Sequence, residues 1–215
     1  MLSDMSSRRS AEKSVLALTF DDGPSPWTIE VLDLLAEHGA RATFFVLGAN
    51  IAGRESTLRR ARAEGHQLGL HSWSHPHFPD LSPGEVRDEM FRTQTAIERA
   101  TGTVAHVWRP PYFDADEHVR RSLAGTELIE VDCTIAPEDY HWSALQTAAY
   151  VVERLEPEAI VDLHDGRPEH SGSDPTRTAT VAALELILAE LEKRDLRSAP
   201  VSEFPLSALE KRSRN

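Results

Sequence analysis

The sequence predicts an α/β fold on a parallel sheet, and three observations carry that reading. Short apolar runs suited to buried strands alternate with helical patterns along nearly the whole chain. The residues richest in chemistry stand just after those runs, at the rim where parallel α/β folds build their sites. A chain of 215 residues, 40 % hydrophobic and 27 % charged, fits one globular domain and excludes a collagen-like or disordered chain.

The elements follow in order. Val15 to Phe20 reads as the first strand. Ser25 is placed to cap a helix with Pro26 at its first position. Ile29, Leu32 and Leu35 mark its apolar face, and Gly39 its stop. Ala42 to Val46 is the second strand. A short helix near Glu55 to Glu64 leads to a third strand at Gln67 to Leu70. Ser82 and Glu85 have capping-box spacing and open a helix to about Ala100. Val104 to Trp108 and Leu128 to Asp132 read as strands four and five. Ser143 and Gln146 repeat the capping-box spacing and start a helix to Leu155. Ala159 to Leu163 is the sixth strand. Asp174-Pro175 opens a last long helix with Val181, Leu184, Leu188 and Leu191 on one face, and Ser198 to Ser202 reads as a final strand. Residues 1–14 and 207–215 read as polar extensions around a domain at 15–206.

Charge and cysteine content narrow the function. Lys and Arg number 23 against 35 Asp and Glu, a net charge of −12, so a phosphate-reading nucleic-acid binder is disfavoured. The single cysteine, Cys133, excludes an intramolecular disulfide and a Cys-rich zinc module. Its acidic neighbours argue for an inert thiol. No window approaches the roughly 18 apolar residues of a membrane span. Arg8-Arg9 is followed by Ser-Ala-Glu-Lys-Ser rather than an apolar stretch, so the chain as written reads as cytoplasmic, or as secreted with its leader removed.

Four motifs carry the chemistry. His71-Ser-Trp-Ser-His75 spaces two imidazoles so that one helical turn could aim both at a metal. A bare pair of this kind, in a chain with 10 histidines, is more often solvated. Thr19-Phe-Asp21-Asp22-Gly23-Pro24 ends an apolar strand in two carboxylates, which are costly near a core without a compensating cation. Strand alternation would point them to opposite sides and give them different tasks. Without the other motifs, a solvated turn is the better reading of this one. Trp108-Arg109-Pro110-Pro111-Tyr112 offers a guanidinium on a proline-stiffened loop. Leu163-His164-Asp165-Gly166 follows the sixth strand.

Taken in this order, TFDDGP, HSWSH, RPPY and LHDG resemble the polysaccharide deacetylases of carbohydrate esterase family 4, the NodB-homology domain, from about Val15 to Phe204. The resemblance implies a distorted (β/α) barrel. It implies a divalent metal, zinc first with cobalt, nickel or manganese as substitutes, held by Asp22, His71 and His75. Asp21 then matches the base and Arg109 the arginine that orients it. Tyr112 matches the residue whose backbone N–H binds the oxyanion, with Pro111 beside it on the substrate side. His164 matches the general acid, and Leu163 the apolar wall of an acetyl pocket. Asp132 matches the carboxylate that orients His164, with Asp139 as a competing candidate. The stretch from Asp132 to Trp142 is longer than the family pattern, with Tyr140 or Trp142 standing for a groove tryptophan.

The implied reaction is hydrolysis of N-acetyl groups on amino-sugar oligomers or polymers, chitooligosaccharide or peptidoglycan-type GlcNAc, with O-acetyl xylan as a variant. The implied partner is an acetylated sugar, with neither nucleic acid nor membrane insertion. A metal-dependent amidohydrolase of a small acylated metabolite is the alternative. An inactive glycan-binding module is disfavoured by the complete set of Asp21, Asp22, His71, His75, Arg109 and His164.

Overall fold

A computed structural model describes residues 14–168 and 176–204. Most of the N-terminal extension, Asp174-Pro175 and the C-terminal tail lie outside the described residues. Six parallel strands, β1 (Ser14–Asp21), β2 (Ala42–Val46), β3 (Gln67–Leu70), β4 (Val107–Trp108), β5 (Ile129–Glu130) and β6 (Ile160–His164), run in the order β5-β4-β3-β2-β1-β6. β7 (Leu196–Ser198) pairs with the start of β1. Helices α1 (Pro26–Glu37), α2 (Glu55–Ala63), α3 (Pro83–Thr101), α4 (Glu117–Ser122), α5 (Ala144–Arg154) and α6 (Thr178–Lys193) fall between the strands. Beyond β5 the chain runs on to Ile135, which bridges in parallel to Val161 of β6. The sheet is therefore curled and thinly closed, the distorted barrel that the family resemblance implies.

Alternation along the strands sorts the side chains. Leu18, Phe20, Phe44, Leu70, Trp108 and Leu163 join one core with residues from the helices. Ala17, Phe45, Val107, Val131 and Ile160 form a smaller cluster on the opposite face, with Val201 and Phe204 packed against it. Further along that second face come Thr19 and Asp162, paired across β1 and β6, and then Asp21 and His164, paired one pleat on. The site thus rests on a dry floor and opens at the C-terminal rim.

Capping boxes explain the starts of α1, α3 and α5. The Ser25 side chain accepts from the Trp27 N–H, while Thr28 returns a bond to the Ser25 N–H. The Ser82–Glu85 and Ser143–Gln146 boxes form as expected. Elsewhere the structure departs from the pattern. The buried face of α1 is Thr28, Val31, Leu32 and Leu35, an i, i+3, i+4, i+7 stripe, and Ile29 is exposed. β4 and β5 are two residues each, and Val104, expected in β4, is 46 % exposed. β7 ends at Ser198, because Pro200 lacks an N–H and a 3₁₀ turn follows at Val201–Glu203. α4 is too short and too charged to show a period.

His66 ties this framework to pH. Its ring is buried against Phe44, and its Nδ1 accepts the Ala42 N–H at 3.0 Å. Burial pushes its pKa down to about 4. Between pH 6.5 and 4 the unfolded chain takes a proton that the folded chain refuses. The contribution is complete above about 6.5 and is lost as pH falls toward 4, on the order of 3 kcal/mol. His66→Asn, whose Oδ1 can stand in for Nδ1, is expected to flatten the fall in urea stability between pH 7 and 4. An unchanged slope would place the acid sensitivity elsewhere.

Candidate active site

The metal-ligand candidates come from two neighbouring turns. Asp22 follows β1 with φ 72°, so the expected strand alternation stops there. Instead of facing opposite ways, the Asp21 and Asp22 carboxylates both lie 3.6 Å from His71 Nε2. His71 and His75 stand on a loop after β3, not on a helical turn. Ser72 and His75 take φ of 75° and 62° there. Glu89 of α3 fixes this loop by accepting the Trp73 and Ser74 N–H groups at 2.8 Å each, and the Ser72 hydroxyl accepts the His75 N–H. Of the seven non-glycine residues with positive φ among those described, Asp22, Ser72, His75, Tyr112 and Phe113 belong to these rim loops. Strain of this kind persists where a site over-determines it.

The donors fit a small divalent cation. One ligand atom from each of Asp22, His71 and His75 lies within 4.8 Å of the others. Asp22 Oδ1 is 3.6 Å from His71 Nε2 and 3.5 Å from His75 Nε2. Bonds of about 2.0–2.2 Å in a tetrahedron set ligand atoms roughly 3.3–3.6 Å apart. Asp22 Oδ1 is buried with no hydrogen bond, and burial drives its carboxyl pKa up, a cost a cation removes. His71 Nδ1 is 2.9 Å from the Arg109 carbonyl. A proton donated there leaves Nε2 free to ligate.

Arg109 is fully buried and reaches across the barrel. Its Nη1 donates to Thr19 Oγ1 at 2.8 Å and to Asp21 Oδ1 and Asp162 Oδ1 at 2.9 Å each. Its Nε reaches the Val131 carbonyl, and its plane lies over the Phe45 and Phe113 rings. Asp162 is absent from the sequence reading. The one available signal was a carboxylate inside the apolar run Ala159–Leu163. Burial first, and then the Asp21 charge, hold its pKa well above the carboxylate range.

On the other flank, His164 Nδ1 meets Asp139 Oδ1 at 2.8 Å. Asp139 Oδ2 also accepts the His164 N–H at 2.9 Å and the Thr180 hydroxyl at 2.7 Å. Burial alone would lower the His164 pKa, but Asp139, then Asp162 and Asp22, carry it well above the ordinary value. Burial opposes charge on Asp139 as well, yet His164 and these bonds hold its carboxyl low.

Asp132 is thus corrected as the partner of His164. Its carboxylate accepts the Cys133 N–H and its carbonyl faces Arg109. The residues between Asp132 and Asp139 loop through the Ile135 bridge and bring Asp139 to the histidine. Leu163 is corrected too. It is fully buried in the helix-side core, because alternation turns it away from the face of Asp162 and His164. Tyr140 packs edge-on to His164 at 5.2 Å, whereas Trp142 packs on Tyr150 of α5. Pro111 is buried beneath a turn in which Tyr112 and Phe113 take φ of 59° and 55°. That turn's own hydrogen bonds are donated by Phe113 and Asp114, and the Tyr112 ring packs 4.5 Å from His75. Cys133 is half-buried and its thiol pKa is pushed up by burial, as its acidic surroundings suggested.

Gly166 sets the clearance of the site. A Cβ there would stand 2.2 Å from the Asp22 carbonyl oxygen and 2.5 Å from its carbon. The obstacle is backbone, so Gly166→Ala must displace the Asp22-Gly23 peptide. A displacement near 1 Å costs about 10²-fold in rate. Metal analysis and kinetics are expected to show both metal content and kcat/KM falling. Wild-type values for both would show that the turn relaxes without moving the ligand.

Residues 8–129 match the family model described as polysaccharide deacetylase. A chitooligosaccharide deacetylase of Bradyrhizobium sp. (strain ANU 289) is 36 % identical over 194 residues, covering 87 % of this chain and 89 % of that one. The D285S mutant of the peptidoglycan deacetylase PdaC from Bacillus subtilis superposes with a TM-score of 0.81 at 30 % identity, covering 93 % of this chain and 92 % of that one. A family 4 acetyl xylan esterase from Clostridium thermocellum, solved with a cobalt ion, gives 0.78 at 30 % identity, covering 92 % of each chain. The chain belongs to the polysaccharide deacetylase family. No helix among the described residues is long and apolar enough to cross a membrane.

Proposed function

We propose that this protein is a metal-dependent deacetylase that hydrolyses N-acetyl groups of amino-sugar oligomers, of the chitooligosaccharide or peptidoglycan GlcNAc type. The observation that carries this is the Asp22–His71–His75 cluster flanked by a carboxylate and an imidazole, each paired with a charged residue. Asp21 lies on one side, held by Arg109, and His164 on the other, held by Asp139. Asp22, His71 and His75 would hold a divalent cation, zinc by its donor set, which when bound would supply Lewis acidity toward water and an acyl carbonyl. Asp21, with Oδ1 occupied by Arg109, offers Oδ2 to take a proton from the attacking water. In this reading the Tyr112 N–H donates to the oxyanion, an interaction worth about 3–4 kcal/mol in such sites. His164 carries its proton to the amine nitrogen as the C–N bond breaks. Asp139 fixes its ring and favours the charged form.

Acetate release from N-acetylchitooligomers, with and without chelator, tests the reading. Release that stops on chelation and returns with added zinc or cobalt is expected. Release indifferent to chelation would overturn the metal mechanism. Turnover of small acetylated amides with no oligosaccharide activity would replace the sugar assignment.

A further inference from the structure

A cleft of about 440 Å³ adjoins the turn that follows Asp22, lined in part by Pro24, Trp27, Asn50, Arg54 and Arg167. No carboxylate among the described residues lines it, in a chain whose net charge is −12. Arg54 is half-buried at the start of α2. Among the described residues its side chain gives one hydrogen bond, from Nη1 to the Asn50 carbonyl at 3.1 Å, and forms no ion pair. A guanidinium held in this way keeps most of its donors for an incoming acceptor.

Asn50 ties the cleft to the chemistry. Its Nδ2 donates to the Asp22 carbonyl at 2.7 Å and to the Arg167 carbonyl at 3.1 Å. One side chain therefore joins the backbone of a metal-ligand candidate to both arginine-bearing loops. Trp27 supplies an aromatic wall on the same side. The N-terminus of α1 adds little of its own, since Pro26 has no N–H and the Trp27 N–H is taken by Ser25. Recognition rests on the Arg54 guanidinium, whose fork matches a carboxylate or phosphate.

We propose that this cleft is an anion subsite, which receives a carboxylate or phosphate group carried by the acetylated saccharide while its acetamide lies at the metal cluster. The proposal rests on the deacetylase reading and adds to it a substrate class, acetylated sugars bearing an acidic substituent.

The test compares an N-acetylated tetrasaccharide bearing lactyl-ether carboxylates with its methyl ester, which removes the charge and adds only a methyl group. The variant is Arg54→Gln, which can keep the bond to the Asn50 carbonyl and loses the cation. Wild-type enzyme is expected to prefer the acid by about tenfold in kcat/KM, through KM, as one charge-assisted hydrogen-bonded contact allows. The preference is expected to shrink with salt and to approach one in Arg54→Gln. A ratio of one or less in the wild type, or the same ratio in the variant, overturns the subsite. Inorganic phosphate distinguishes a free anion from a substrate-borne one. If it binds more weakly to Arg54→Gln while the acid and ester react alike, the site serves a free anion, and the substrate part of the proposal is overturned. Should neither saccharide release acetate, the deacetylase reading fails on its own terms. The subsite is then judged by phosphate calorimetry alone: weaker binding in the variant supports it, and equal binding overturns it.

Discussion

Asp21→Asn is expected to keep the metal and lose the reaction. Asparagine preserves the side-chain size, and its Oδ1 can still accept from Arg109 Nη1, which bonds the aspartate at 2.9 Å. The change is at Oδ2, the oxygen 3.6 Å from His71 Nε2, which becomes an amide unable to take a proton. Loss of a positioned general base costs about 10²–10⁴-fold in kcat. Stability is expected to hold or rise, because Asp21 and Asp162 press on each other across one guanidinium, and Asp162 feels that charge as an upward push. His71→Ala is the counterpart. It removes a ligand, so metal content and turnover fall together. Metal analysis beside acetate-release kinetics separates the two. A near-wild-type rate in Asp21→Asn would remove the base role, and loss of metal there would make Asp21 a ligand.

What the sequence made legible was what depends on short-range chemistry. Ser25, Ser82 and Ser143 announce their helices because a cap is a local hydrogen bond. Runs such as Ala42–Val46 announce strands because they are buried on both faces. The motif residues Asp22, His71 and His75 do converge. How they converge was hidden, since the left-handed backbone falls on Asp22, Ser72 and His75 themselves rather than on a glycine. Asp139 was hidden behind Asp132 because the detour through Ile135 is a long-range pairing with β6. Leu163 was misplaced by one residue of alternation, which inverts the face of a strand. Asp162 was overlooked because its meaning lies just beyond β4, in an arginine 53 positions away in the chain.

Arg109→Met carries the largest expected cost to the fold. A methionine can fill the space between the Phe45 and Phe113 rings, which the guanidinium carbon approaches to 4.3 and 5.1 Å. It supplies none of the donors. The Asp21 and Asp162 side chains, 2 % and 3 % exposed, would be left without their cation. Removing one partner of a buried ion pair costs about 3–5 kcal/mol, against about 0–1 kcal/mol for an exposed pair. The cost should depend on pH in a definite direction. Burial already raises the Asp162 pKa, and Arg109 is among the groups that restrain it, so the variant raises it further. A carboxyl raised in the folded state contributes fully below its unfolded pKa of about 4, and the contribution fades as pH climbs through the folded value. Relative to wild type, Arg109→Met is therefore expected to lose most stability near pH 8 and least near pH 5 in urea unfolding. Arg109→Met with Asp162→Leu removes one stranded carboxylate and is expected to recover part of the loss at pH 7. Equal losses at both pH values, with no recovery in the double variant, would mean that the arginine supports the fold through the Thr19 hydroxyl and the Val131 and Asp132 carbonyls rather than through charge.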